Sequence, residues 1–109
     1  MPPRSFSGSA QSDRFTAWLR KLRDVRTRSI IVDRVARLAR EGIGDTKHVA
    51  PQVEELRIFF GAGYRVYFTV LRGELLLLLI GGDKGSQARD IAAAIRLAAE
   101  AHDAQDDTI

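Results

Sequence analysis

The stretch VEELRIFFGAGYRVYFTVLRGELLLLLIGGDKGSQ, residues 53–87, decides the fold of the chain because it contains three strand patterns in succession. Residues 56–60 and 64–70 alternate between apolar and other side chains, the period of two expected of a half-buried strand. Residues 75–80, LLLLLI, are apolar throughout, as in a strand covered on both faces. A tight glycine-containing turn at residues 71–74 connects the last two strands, which predicts an antiparallel hairpin.

The same alternation places Arg57, Arg65 and Tyr67 on the sheet face opposite the apolar row. Lys84 follows the third strand in GGDKGSQ, where glycines let the backbone turn sharply. We expect this face to be the wetter one. Two arginines, a tyrosine and a nearby lysine suit a phosphate-bearing ligand. The competing interpretation is a cross-strand ion pair, for example between Arg57 and Glu55 or Glu74.

The composition predicts one globular domain over residues 1–109, with 45% apolar and 28% charged residues. The chain has no cysteine, which excludes disulfides and thiolate metal sites and fits a reducing cytoplasm. No apolar run approaches the ~20 residues that span a bilayer, and residues 1–10 lack the apolar region of a signal peptide. We therefore expect a cytoplasmic protein with no membrane association.

The charge is unevenly distributed along the chain. It has 17 basic and 14 acidic residues, and four of the acidic ones lie in the last ten positions, which contain no lysine or arginine. The remaining body is strongly basic. A basic body suggests an anionic partner such as nucleic acid, although a solvated arginine-rich surface explains the charge equally well.

Two amphipathic helices are predicted upstream, at residues 12–24 and 27–41, capped by Ser12 or Asp13 and by Thr27. Apolar residues recur along each with helical spacing, and the short connection predicts an antiparallel hairpin. We interpret Trp18 as core packing, and the arginines and lysines of the first helix as solvated charge in preference to an RNA contact.

The remaining segments carry weaker signals. Residues 42–52 read as a loop that brings Lys47 and His48 towards the ligand face. A last helix is expected from Ser86 to about His102. We assign no role to the His102 side chain. Residues 103–109 look like a frayed acidic tail. Residues 1–11 leave open a poor strand at residues 4–7 or disorder.

Four segments together resemble a known family. ELRIFFGAGYRVYF and LLLLIGGDKGSQARDIAAAI, with FTAWLRKLRD and VARLAREGIGDTKHV upstream, closely resemble the addiction-module killer proteins, the HigB-like branch of the RelE/ParE toxin superfamily. The resemblance covers roughly residues 15–98. It implies an α+β domain in which an N-terminal helical hairpin packs on a small antiparallel sheet, followed by a C-terminal helix. The sheet would be mixed if an N-terminal strand forms.

The resemblance also implies a function. Such toxins belong to type II toxin–antitoxin systems and act as ribosome-dependent endoribonucleases, cleaving translated mRNA by metal-independent attack of the 2′-hydroxyl. Expected partners are the ribosome, mRNA and a cognate antitoxin of helix-turn-helix type, through which alone operator DNA is bound. No cofactor and no metal is expected. In related toxins the C-terminal segment packs beside the cleavage site, and an antitoxin can displace or cover it.

Carried over by motif, the family's catalytic positions fall on Arg57, Arg65, Tyr67 and Lys84. Arg57 and Arg65 would bind the scissile phosphate, and Lys84 would stabilise charge or transfer a proton. Tyr67 would position a base or ribose. Lysine and tyrosine ordinarily have pKa values far above 7, so either could act as a base only if neighbouring cations lowered that pKa.

Three further residues are expected to contact substrate: Lys47, His48 and Gln87. His48 carries the only side chain near the site whose ordinary pKa suits proton transfer, although an ordinary loop histidine is the favoured interpretation. Gln87 lies where several RelE-like enzymes have a tyrosine, which this chain lacks.

Two alternatives stay open. One is a ParE-like inhibitor of DNA gyrase, a non-enzymatic binder on the same fold. The other is an inactive toxin homologue, an alternative that is favoured by the missing tyrosine and by the poor N-terminal strand.

Overall fold

The computed structural model describes residues 4–106, so the outermost residues of the predicted N-terminal segment and acidic tail, 1–3 and 107–109, lie outside it. The elements, in chain order, are β1 (Gly8–Gln11), α1 (Asp13–Lys21), α2 (Val25–Glu41), β2 (Thr46–Ala50), β3 (Val53–Ile58), β4 (Tyr64–Leu71), β5 (Leu75–Gly82), a 3-10 turn (Lys84–Ser86) and α3 (Gln87–Asp106). Within the described range, no helix is both long and apolar enough to cross a bilayer.

The five strands form one mixed sheet in the order β1-β5-β4-β3-β2. β1 pairs with β5 in parallel, and the other neighbours are antiparallel. This confirms the α+β class and the mixed sheet. The N-terminal strand lies at Gly8–Gln11, so its expected position at residues 4–7 was wrong, as was disorder for the residues of that strand.

β2 was missed, because residues 42–52 were predicted to be a loop. Its sequence, TKHVA, has no row of apolar residues, and neither Lys47 nor His48 is buried. The strand forms because its backbone pairs with β3 in an antiparallel ladder, a long-range interaction that leaves little trace in side-chain pattern.

The helical hairpin covers one face of the sheet, as predicted. Phe15, Ile31 and Leu38 of α1 and α2 form one buried cluster with the apolar row of the central strands. Ser12 caps α1 as expected. The boundary between the helices differs from the prediction, since α2 begins at Val25 with Asp24 as its cap rather than Thr27.

α3 covers the opposite face and runs to Asp106, so the predicted end near His102 and the frayed start of the tail were wrong. Its fully buried apolar residues are the alanines Ala93, Ala94 and Ala98, and Ile91 and Leu97 pack beside them. His102, which was given no role, makes a hydrogen bond of 2.8 Å between its Nε2 and the hydroxyl of buried Thr69 on β4. This contact holds the last turns of α3 against the sheet.

The last strand is apolar throughout because both of its faces are covered, and a register shift places two consecutive residues on one of them. Tyr67 pairs with Ile80 and Phe68 with Leu78, which leaves Leu79 as an extra residue in β5. Leu79 and Ile80 both join the cluster beneath α3, while Leu76 and Leu78 join the cluster beneath α1 and α2. Both faces of β5 are therefore buried, as the run LLLLLI predicts.

The end of β5 requires glycine. A Cβ atom at Gly81 would lie 2.2 Å from the ring of Trp18, so the indole packs directly on the backbone. Trp18 thus serves in core packing, as predicted, since its ring also contacts Phe15 and Tyr64 at centroid distances of 5.8 and 6.4 Å.

We expect Gly81→Ala to lower the free energy of unfolding by about 2 kcal/mol or more, because the new methyl group overlaps a packed ring. Gly8→Ala is the matched control in the neighbouring strand, since its Cβ would meet only the Leu75 side chain at an ordinary 3.6 Å. Urea unfolding measures both. Equal stability of the two variants would contradict the packing described.

Candidate functional site

The candidate site lies on the α3 face of β3 and β4, where two cross-strand pairs stand side by side. Arg57 lies directly opposite Arg65, and Glu55 lies directly opposite Tyr67. Paired residues share a face, so the predicted grouping of Arg57, Arg65 and Tyr67 is confirmed. Like charges directly opposite each other repel, which means that the two arginines need counter-ions.

The prediction that this face is wet was wrong over half of the site. Tyr67 and Glu55 are 0% and 1% exposed. Burial raises the pKa of the Tyr67 phenol above its ordinary value, and the neighbouring Glu55 carboxylate raises it further. Neighbouring cations would have to lower this pKa for Tyr67 to act as a base, and that condition is not met. Tyr67 instead stays protonated at physiological pH.

Arg65 is held from two sides. Its Nε lies 3.6 Å from Oε1 of Glu55, and its Nη1 donates a hydrogen bond of 2.8 Å to the carbonyl of Gly63. The Arg65 side chain is 14% exposed and that of Glu55 only 2%. A nearly buried ion pair of this kind fixes the direction of the guanidinium group.

Arg57 is more open, with 36% of its side chain exposed. Its Nη2 lies 3.0 Å from Oδ1 of Asp45, and its backbone N–H donates to the Asp45 carbonyl. The competing interpretation of Arg57 as an ion-pair residue therefore holds in kind, but the partner is Asp45 and not Glu55 or Glu74. The guanidinium lies 5.8 Å from the ring centroid of Phe59, an aromatic side chain that is 82% exposed.

Lys84 follows the end of β5 and lies near Arg65. A Cβ atom at Gly63 would lie 3.6 Å from both the Arg65 Nη1 and the Lys84 Cβ, so both side chains pack around this glycine. The Lys84 side chain is exposed. Asp83 fixes the turn by accepting backbone hydrogen bonds from Gly85 and Ser86.

The three predicted substrate contacts fall in different places. Gln87, in the first turn of α3, donates a hydrogen bond of 3.1 Å from its amide to Oε2 of Glu55. Lys47 pairs with Glu55 across β2 and β3, and so shares the site's face, where it is exposed. His48 pairs with Glu54 and therefore lies on the opposite face, apart from the others.

Sequence reasoning missed the importance of Glu55. Its carboxylate contacts Arg65 and Gln87, and it stands beside Tyr67 beneath α3. The alternation placed Glu55 on the arginine face, but in a half-exposed strand a glutamate is ordinarily solvated. One signal could have revealed this role. If the last helix covers this face, the Glu55 carboxylate is buried and needs a cationic partner.

The arrangement can bind an anion through three cations of graded exposure: Arg65, Arg57 and Lys84. Arginine forks suit phosphate oxygens. Among residues 4–106, no three His, Cys, Asp or Glu side chains are grouped so that they could hold a metal ion.

One relative is informative. A protein of Haemophilus influenzae that bears the name "Uncharacterized protein" is 45% identical over 86 residues, which is 79% of this chain and 87% of that protein. The chain belongs to the same family as this Haemophilus protein. No protein-family model and no solved structure matches the chain, so membership of the RelE/ParE superfamily stays a prediction.

We expect Glu55→Ala to destabilise the protein by about 3 kcal/mol, because it leaves the largely buried Arg65 without its counter-ion. Glu54→Ala is the control. Glu54 is the adjacent residue on the opposite face and pairs with Arg4 near the surface, so its loss should cost less than about 1 kcal/mol. Urea unfolding at pH 7 compares them, and a Glu55→Ala variant as stable as Glu54→Ala would contradict the burial argument.

Proposed function

We propose that this chain is the toxin of a type II toxin–antitoxin pair, a ribosome-dependent endoribonuclease that cleaves translated mRNA. The observation that carries the proposal is the directly opposed pair Arg57 and Arg65, with Lys84 next to Arg65. Each arginine has a carboxylate partner, Glu55 for Arg65 and Asp45 for Arg57, but a guanidinium group has five N–H donors, so donors remain for an anion. The four-segment resemblance to HigB-like toxins supports the choice of RNA.

In this proposal the scissile phosphate lies at the open end of the site. The exposed fraction rises from 14% for Arg65 to 36% for Arg57, so the row of cations leads out from beneath α3. Their guanidinium groups would stabilise the additional negative charge of the pentavalent transition state. The exposed ring of Phe59, beside Arg57, offers a surface on which a base can stack.

The nucleophile would be the 2′-hydroxyl of the RNA itself. Tyr67 is buried and its pKa is raised, which suits a residue that supports Arg65 and Glu55 from below rather than a base. His48 is on the other face. Lys84 is then the exposed group placed for charge stabilisation or proton transfer, and alignment of the RNA falls to the ribosome.

The proposed partners follow the same reasoning. A cognate antitoxin, expected to be a helix-turn-helix protein, would bind the toxin and connect it to operator DNA, and the proposed location is the cytoplasm. α3 buries mainly alanines, each of which removes little apolar area from water. Such a helix is a reasonable element for an antitoxin to displace or cover.

A second candidate is a non-enzymatic binder, either a gyrase inhibitor or an inactive homologue. It is favoured by the burial of Tyr67 and the near-burial of Arg65, which leave few reactive groups accessible. Activity measurements separate the two candidates directly.

We expect Arg57→Ala and Lys84→Ala each to reduce mRNA cleavage about 100-fold, the usual effect of removing one donor to a developing oxyanion. Cleavage is mapped by primer extension in a translating extract, with and without ribosomes. Arg40→Ala is the control, since Arg40 is an exposed arginine near the end of α2, away from the site.

Ribosome-dependent 5′ ends within codons, lost in both site variants and kept in the control, support the proposal. A well-folded wild-type protein that cuts no mRNA would refute it. A supercoiling assay with DNA gyrase then distinguishes an inhibitor from an inactive homologue.

A further inference from the structure

A polar cavity lies beside the candidate site, between α1 and the end of β5. It has a volume of about 650 Å³, and it is lined by Arg14, Trp18, Lys21, Gly82, Asp83 and Arg89, among others. We refer to it as the Trp18 cleft. Asp83 and Gly85, the residues on either side of Lys84, both line it. The cleft therefore adjoins the cationic row through that loop.

One helix supplies a wall of the cleft with regular spacing. Arg14, Ala17, Trp18 and Lys21 are at positions i, i+3, i+4 and i+7 of α1, so they form a single stripe. Trp18 is held by its contact with the Gly81 backbone, and its remaining surface is only partly exposed. The stripe combines a rigid aromatic ring with a cation at each end.

The cations of the cleft are not paired within the described part of the chain. No salt bridge or side-chain hydrogen bond of residues 4–106 involves Arg14, Lys21 or Arg89. The two carboxylates in the lining already have local donors. Asp83 accepts from two backbone N–H groups, and buried Asp90 accepts from the Ser86 hydroxyl. These neutral donors leave both carboxylates charged, but the three cations of the lining outnumber the two carboxylates and none of them is held in an ion pair within residues 4–106, so they can contact a ligand.

The size and spacing point to a ligand larger than a phosphate ion. Arg14 and Lys21 are seven residues apart, which is about 10 Å along a helix. A ligand that uses both cations and the ring between them must combine negative charge with a flat apolar group. A nucleotide has this combination, because its base stacks on aromatic rings and its phosphate pairs with cations.

We propose that the Trp18 cleft binds one nucleotide of single-stranded RNA next to the segment that occupies the Arg57–Arg65 site. The identification of RNA rests on the proposed function, whereas binding of a nucleotide unit does not. From sequence, solvated charge is the favoured interpretation of the α1 basic residues. The cavity and the absence of counter-ions argue instead for a binding role.

Trp18 is the only tryptophan of the chain, so its fluorescence reports on the cleft directly. Adenosine 5′-monophosphate, ribose 5-phosphate, inorganic phosphate and a single-stranded RNA 10-mer are each titrated against the full-length protein. We expect quenching by the mononucleotide and the 10-mer, with the 10-mer binding more tightly. Ribose 5-phosphate should bind at least about tenfold more weakly than the mononucleotide, because it lacks the base.

A matched pair of double variants tests the location. Arg14→Gln with Lys21→Gln should raise the Kd for the 10-mer about tenfold or more. Arg20→Gln with Arg23→Gln removes the same charge from the same region outside the cleft, and should change the Kd less than threefold. Urea unfolding verifies that both proteins are folded, and conversion to glutamine removes the charge while keeping an unbranched stem and a polar end.

Each outcome has a defined consequence. No quenching by the mononucleotide or the RNA, or equal weakening by the two double variants, overturns the proposal. Quenching by the mononucleotide but not by the RNA 10-mer overturns the assignment of the ligand to single-stranded RNA. RNA binding in the cleft by a protein that cleaves no mRNA would support the cleft as a binding site and refute the nuclease. Cleavage that is unaffected by Arg14→Gln with Lys21→Gln would support the nuclease and refute the cleft as part of its substrate site.

Discussion

The buried carboxylate of Glu55 is the interaction on which the arrangement of the site depends. It lies under α3 with 1% of its surface exposed, where an unpaired charge would be strongly unfavourable. Arg65 supplies the counter-charge and Gln87 supplies a hydrogen bond from the first turn of α3. One side chain therefore connects the position of a site arginine to the docking of the last helix. Loss of Arg65 would therefore affect the contact between Gln87 and Glu55, and loss of Gln87 would affect the contact between Arg65 and Glu55.

The docking of α3 relies on polar contacts at both of its ends. Its apolar side is made largely of alanines, which bury little area, so packing alone gives modest stabilisation. Gln87 binds Glu55 near the start of the helix, and His102 binds Thr69 near its end. These bonds specify where the helix lies along the sheet.

Both layers approach the sheet closely at the end of β5. Trp18 rests on Gly81 from one face, and the Asp90 carboxylate lies where a Cβ of Gly82 would fall from the other. The two adjacent glycines thus let a helix from each side reach the backbone. This close approach forms the Trp18 cleft and brings it next to Lys84, so one short segment organises both candidate binding regions.

Local pattern predicted the parts of the fold that local chemistry determines. The period-two rows of β3 and β4, the apolar run of β5 and the stripe of α1 all indicated their elements correctly. β2 was not predictable in this way, because its formation depends on pairing with β3. The burial of Tyr67 and Glu55 was missed because alternation assigns a face without saying what covers it. The Arg57–Asp45 pair was missed because it joins a loop to a strand.

We infer that Glu55 and Arg65 form one energetically coupled unit under α3. A double-mutant cycle tests it most directly, using urea unfolding of the wild type, Glu55→Gln, Arg65→Met and the combined variant. We expect a coupling free energy of about 1–3 kcal/mol between the two positions, since each single change leaves a buried group unmatched. Strictly additive effects would contradict it, and would mean that the two side chains are neighbours without mutual dependence.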